Sequence, residues 1–280
     1  MNMIQRFMQS MAKTRGLCHP DCVKASSEQE DYDASQHAAM VAVNLISSAR
    51  VILKLDAVYT EYSAQYLVDN AGKEDNQGEM DQQSSQLTLQ NLLQYMDENV
   101  WNKKEDVQGE REQPLTVKDC LECAFKKGLP RSEQWAHVGC PFKAPPFACQ
   151  IPRVPMKGEV IETKSLDEAF KLLIKQPVGA RLHVFSPELD NVGEGFYEGL
   201  SSQSSKESRY VGLRDVIIVA VDKSEGKTVA TVKICYKKKT SFVKVLVSRM
   251  FVQLGGGEES QVKEPAGLLV DFCIPRLSVN

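Results

Sequence analysis

Eight cysteines, at positions 18, 22, 120, 123, 140, 149, 235 and 273, and four histidines are the residues best suited to chemistry in this 280-residue chain. The sharpest spacing among them is Cys120-x2-Cys123-x13-His137-x2-Cys140, whose sulfur and imidazole donors fit a tetrahedral zinc site. Zinc knuckles hold their first cysteine pair on a tight turn, whereas Cys120 and Cys123 fall in a helical pattern. Packing, with Cys120 in the core and Cys123 half-buried, is therefore preferred to chelation, and zinc is kept as an alternative. Cys18-His19-x2-Cys22 is a shorter echo of the same donor set. Gly255-Gly256-Gly257 lacks the following Lys-Ser/Thr and the helix that a phosphate-binding loop needs.

A net charge of −3 and a pI near 5.9 give no global field toward nucleic acid or membrane, and neither is expected as a partner. Lys237-Lys238-Lys239 reads as a turn or solvated edge. No run of eighteen or more apolar residues suggests a transmembrane span. The opening MNMIQRFMQSMAKTRGL is basic and partly apolar but lacks the continuous apolar core of a secretion signal. The expectation is an intracellular, cytoplasmic protein with reduced thiols, import into an organelle remaining open.

These residues must be positioned by a small set of elements. Residues 1–36 read as a flexible N-terminal segment. His37 to about Leu55 reads as a helix buried on most sides. Ser63 is placed to cap a short helix carrying Leu67 and Val68. After a polar loop, Leu87, Leu89, Leu92, Leu93, Met96 and Val100 give an amphipathic helix ending near Trp101. Leu115-Thr116 opens another, with Gly128 as its C-cap. The stretch 131–153 is irregular. Ser165 caps a helix on Leu166, Ala169, Phe170, Leu172 and Leu173, which Pro177 stops. A strand follows in which Val178, Ala180, Leu182 and Val184 alternate with Gly179, Arg181, His183 and Phe185. A glycine-containing loop then holds Phe196-Tyr197. Val216–Val221 reads as a fully buried strand, with Val229–Tyr236 and Ser241–Val247 as two more.

The order of short helix, Gln176-Pro177-Val178, alternating strand, acidic loop and Gly195-Phe196-Tyr197-x-Gly199 resembles the middle of the papain-like cysteine peptidases. There a helix leads into a "QPV" strand and a "GIFxG"-like turn. Ser63 to Asn70 is similar to that family's "LSxQxLVDC" segment, with Asn70 in place of the cysteine, so the resemblance implies that the family's disulfide at this point is missing. The "CNGG" turn is absent. Gly267-Leu268, with Pro275 eight residues on, resembles the family's closing strand. The resemblance runs from about residue 37 to the end. It implies an α+β fold: a mainly helical half over 37–140 packed on a strand-rich, barrel-like antiparallel half over 141–280.

A cysteine peptidase needs a thiolate beside an imidazole, an orienting Asn or Asp, and oxyanion donors. The resemblance puts His37 where the cysteine stands, Asp215 where the histidine stands, and Cys235-Tyr236-Lys237 where "NSWG" belongs. The oxyanion glutamine falls near Asp31, whose carboxylate repels developing negative charge. No cysteine lies between Val23 and Leu115. The implied protein is a non-catalytic relative with no cofactor. It would use the old substrate cleft as a groove for a peptide or protein, with His37 and Asp215 meeting across it in a structural hydrogen bond. The enzyme alternative makes Cys22 the nucleophile, since Arg15 to Cys22 echoes "QGxCGSCW", with His19 or His183 as base. The third reading is a zinc-stabilised interaction module.

Overall fold

The computed structural model describes residues 28–72, 113–141, 148, 151–200, 208–224, 226–251 and 266–278. The expected helix over 87–101, Cys18, His19, Cys22, Cys149 and the glycines at 255–257 lie outside the described residues. Two compact units are present, one of residues 1–47 and 58–158, the other of 48–57 and 159–280. The sequence-based boundary at 140/141 falls inside the first unit. Among the described residues no helix is long and apolar enough to cross a membrane.

Helix α1 (Ala34–Ile52) starts three residues earlier than its apolar pattern suggests. The cause is a capping box: Asp33 Oδ1 accepts from the Gln36 N–H at 2.8 Å, and Gln36 Oε1 accepts from the Asp33 N–H at 3.0 Å. Ala38, Ala39, Ala42, Leu45, Ile46 and Ala49 are fully buried, as a helix covered on most sides requires. It stops short of Leu55 because Lys54 turns to φ +57° and the Arg50 guanidinium folds back onto Asp56 in a bidentate pair at 2.9 Å.

Helix α2 (Ala64–Asn70) is capped by Ser63, whose hydroxyl accepts from the Tyr66 N–H at 3.1 Å. Its buried Gln65 accepts from the Gly139 N–H at 2.8 Å and donates to Asp69 at 2.9 Å, while Trp135 Nε1 donates to the other Asp69 oxygen at 3.1 Å. Tyr66 meets Trp135 edge-on, centroids 5.1 Å apart. The segment resembling "LSxQxLVDC" thus anchors the irregular stretch after it, because each buried polar group there finds a partner. Asn70, where a cysteine would stand, donates instead to the Tyr66 carbonyl at 2.8 Å.

Helix α3 (Val117–Lys127) opens on a Thr116/Asp119 capping box and ends at Gly128, φ +70°. Only glycine suits that position: a Cβ would also stand 2.8 Å from the Val154 carbonyl oxygen.

The second unit is built on a seven-stranded sheet in the order β1-β9-β2-β4-β5-β6-β3. Its strands are β1 (Gly158–Thr163), β2 (Val178–Ser186), β3 (Phe196–Tyr197), β4 (Arg209–Ser224), β5 (Lys227–Tyr236), β6 (Lys239–Leu246) and β9 (Leu269–Leu277). β7 (Met250–Phe251) and β8 (Ala266–Gly267) form a separate pair. Helix α4 (Leu166–Leu173), capped by Ser165, places Ala169, Leu166, Leu172 and Leu173 against the sheet core. Lys237 and Lys238 form the expected turn between β5 and β6.

Two expectations for this sheet fail, both at bulges. Val178, Ala180, Leu182 and Val184 point inward as predicted, yet Phe185, expected on the opposite face, is also buried at 3% exposure. The β2–β4 register shifts between Val184 and Phe185, so two successive residues face the core. In β4, only Val216, Ile217 and Ile218 of the run 216–221 are buried, and Val219 is 37% exposed. A register shift against β5 between Ile218 and Ala220 turns Val219 outward.

Tyr197 ties the loop after β2 to the sheet. Buried at 1% exposure, its hydroxyl accepts from the Phe185 N–H and donates to the His183 carbonyl, both at 2.9 Å. Burial pushes the phenol well above its ordinary pKa, so it remains a donor at any physiological pH. Gly199 (φ +67°) lets the chain leave this loop against Leu268, whose Cδ2 would lie 2.6 Å from an added Cβ.

Candidate functional site

His37 is the fourth residue of α1 and is buried at 2% exposure. The carboxylate beside it is that of Asp31, with Oδ1 3.4 Å from His37 Nε2. Tyr32 stands edge-on to the imidazole at 6.0 Å between centroids. Asp31 Oδ1 also accepts from the Tyr32 N–H at 2.8 Å. The two positions that the resemblance linked to the nucleophile and the oxyanion donor are therefore one His–Asp contact at the mouth of a helix, in the first unit.

Asp215 lies on β4 in the second unit, opposite Arg181 of β2. Arg181 Nε is 4.0 Å from Asp215 Oδ1, and its NH1 is 3.5 Å from an oxygen of Asp271 on β9. Burial raises the Asp215 pKa to about 6; Arg181 and Arg214 pull it down, and Asp271 pushes it up. Desolvation outweighs the guanidinium because Arg181 is 44% exposed and is shared between two carboxylates. Next to this group, the Cys273 thiol is pushed up to about 12 by burial and by the surrounding carboxylates. It is held protonated at neutral pH, the opposite of what a nucleophilic cysteine requires.

His183, the alternative base, bonds through Nδ1 to the Tyr210 hydroxyl at 2.8 Å, and burial followed by the Arg181 charge lowers its pKa. It is neutral at pH 7. Cys235 lies on β5 opposite Thr240 of β6.

Of the zinc candidates, Cys120, Cys123 and Cys140 are buried. Cys123, at 8% exposure, is more enclosed than the half-buried setting its place on the helix suggested, because the cover over α3 extends past its apolar stripe. His137 lines a recess of about 260 Å³ in the first unit with Asn44, Tyr59, Glu61 and Ser132. Among the described residues, no three His, Cys, Asp or Glu side chains converge on a metal-sized site.

Reading the sequence missed Arg181, the partner of Asp215, and Asp271, the second carboxylate on that guanidinium. Both are lone charges inside apolar strand runs, GARLHVF and LVDFCIP, and that was the signal available.

Residues 4–157 match the model of the HEAT-INDUCED TAS1 TARGET N-terminal domain. The Arabidopsis thaliana protein HEAT-INDUCED TAS1 TARGET 2 is 72% identical over 284 residues, covering 100% of both chains. HEAT-INDUCED TAS1 TARGET 4, from the same plant, is 66% identical over 282 residues, covering 99% of this chain and 100% of its own. Among solved structures, the proform of the Amb a 11 cysteine protease, a major ragweed pollen allergen, superposes with a TM-score of 0.55 at 15% identity, over 89% of this chain and 63% of that one. Bromelain protease from Ananas comosus has a TM-score of 0.49 at 11% identity, over 91% of this chain and 96% of its own. At 15% identity the likeness to the Amb a 11 proform is one of fold. The fold is α+β and papain-like, and the chain belongs to the HEAT-INDUCED TAS1 TARGET family.

Proposed function

We propose that this chain is a catalytically inactive papain-like homologue that works by binding a peptide or protein segment. The observation that carries this reading is His37, a buried imidazole tied to Asp31 where a peptidase of this fold would open its helix with a thiolate. The protonated thiol of Cys273 supports it, since it cannot serve as the nucleophile of thiol chemistry. An intracellular setting belongs to the same reading: Cys273 is a buried thiol of the kind reducing compartments preserve. The relatives' name describes them as heat-induced, and we extend that inducibility to this chain; transcript abundance before and after a heat step measures it.

The test of inactivity is a thiol-directed electrophilic activity probe on the full chain, with fluorogenic peptide hydrolysis read in parallel. The expected result is background cleavage and no labelling that depends on the native fold. Native-state labelling of Cys22, abolished together with peptide cleavage in Cys22→Ala, would overturn the proposal in favour of an altered peptidase.

A further inference from the structure

The β5–β6 hairpin carries charge of one sign. No Asp or Glu occurs from Gly226 to Gly257, while Lys227, Lys233, Lys237, Lys238, Lys239 and Lys244 all fall on β5, β6 or the turn between them. In a chain of net charge −3 this is a local field opposite in sign to the whole.

Among the described residues, the outer side of β6 is paired only at Lys244 and Val245, where β3 joins it. Lys237 and Lys238 have φ of +50° and +57°, which is type I′ turn geometry. A two-residue loop of this type makes Tyr236 and Lys239 the hydrogen-bonded closing pair. Alternation along the antiparallel ladder then turns the N–H and C=O of Thr240 and Phe242 away from β5. Lys239, Thr240, Ser241 and Phe242 are all exposed, Phe242 at 64%, and Phe242 stands directly across from Lys233.

Lysines on an edge strand ordinarily protect it from pairing with other chains. An aromatic ring left open to water on the same edge does the reverse, and lysines repel every incoming strand except an acidic one. We propose that the β6 edge from Lys239 to Val243 accepts an acidic, extended segment of a partner protein as an added strand. The segment's backbone bonds to Thr240 and Phe242; on the face of Phe242 an apolar side chain covers the ring between carboxylates that reach Lys233 and Lys244, and a carboxylate on the opposite face meets Lys239. A strand rather than a nucleic acid is favoured because the outward C=O groups need donors that a phosphodiester lacks, whereas another strand's backbone matches N–H and C=O alike at the same spacing. The surface lies within the second unit and does not depend on whether the protein is catalytic.

Fluorescence anisotropy on the full chain tests this with a labelled peptide of the repeat Glu-Glu-Val-Thr, which carries Glu and Val in turn on one face and Glu and Thr on the other, at low ionic strength. The probe is compared with two copies N-methylated on alternate residues, one set in each phase, with a Lys/Val peptide and with labelled oligouridine. Saturable binding of the acidic peptide is expected, weakened about ten-fold or more by methylation in one phase and little in the other. Thr240→Pro, which removes only an outward-facing N–H, and the Lys239→Glu, Lys244→Glu pair should weaken it similarly. The methylated peptides act on the unaltered chain, so misfolding of a variant cannot mask the answer. Absent saturable binding, equal loss with both methylated peptides, or tighter binding of oligouridine would each overturn the proposal.

Discussion

The two ends of β2 sit a few residues apart on one strand and are built from opposite kinds of chemistry. At Val184 and Phe185 the bulge turns both side chains into apolar surroundings, and the Tyr197 hydroxyl closes the backbone groups of His183 and Phe185 without any charge. At Arg181 a half-exposed guanidinium serves two carboxylates, one of them buried and held near a pKa of 6. The neutral end owes its stability to burial and satisfied hydrogen bonds, which ordinary changes of pH leave alone. The charged end changes state with protons. The stretch that resembles the papain-like peptidases contains both, and the residue facing Arg181 across the ladder, Asp215 of β4, stands where the resemblance expects a catalytic histidine.

Four measurements break or sharpen that contrast. Leu182→Ala, at a fully buried position between the two ends, should cost about 2–5 kcal/mol in urea unfolding, the range for a core leucine truncation that leaves a cavity. Next in size is the pH response of Asp215. Its folded pKa of about 6 lies above the ordinary 3.8. Below pH 3.8 both states hold the proton and the group costs nothing. Between the two values the unfolded chain releases its proton first, so stability falls as pH rises, and above about 6 the whole penalty remains. The difference between wild type and Asp215→Asn should therefore grow from pH 4 to pH 6 by up to about 3 kcal/mol, with the asparagine variant the more stable. A difference that stays flat would mean that Arg181 fully matches an ionised Asp215.

Tyr197→Phe should cost about 2 kcal/mol because it strands a buried N–H and a buried C=O, with no dependence on pH between 4 and 8. A pH-dependent loss would erase the distinction between the two ends. Smallest is Lys238→Gly, which relieves one left-handed residue in the β5–β6 turn, keeps the ion pair of Lys237 with Asp190, and should raise stability by about 0.5–1 kcal/mol. It sets the scale of a local backbone effect.

Much of the scaffold was legible in single residues and short spacings. Ser63, Thr116 and Ser165 cap the helices they precede, Gly128 closes α3, and Pro177 separates α4 from β2, all through bonds that span at most a few positions. The alternation Val178, Ala180, Leu182, Val184 predicted its inward face for the same reason. The rule of two then failed at Phe185 and at Val219, because a bulge belongs to a pair of strands and cannot be seen in one of them. The start of α1 was missed by three residues because the apolar count begins at His37, whereas the capping box that begins the helix is polar.

The candidate site was legible only as identities. The amino-acid sequence by itself determined the identities of His37, Asp31 and Asp215, at positions where the resemblance led to the expectation of a cysteine, a glutamine and a histidine, and an order of elements that resembles the papain-like one. Tertiary structure alone decided their surroundings: Asp31 for His37, and for Asp215 the guanidinium of Arg181 that it shares with Asp271, with the protonated thiol of Cys273 beside them. The reason is physical. Caps, turns and alternation are set by neighbours along the chain, whereas a charge's partner and its desolvation depend on strand register, which brings residues 181, 215 and 271 together across three strands.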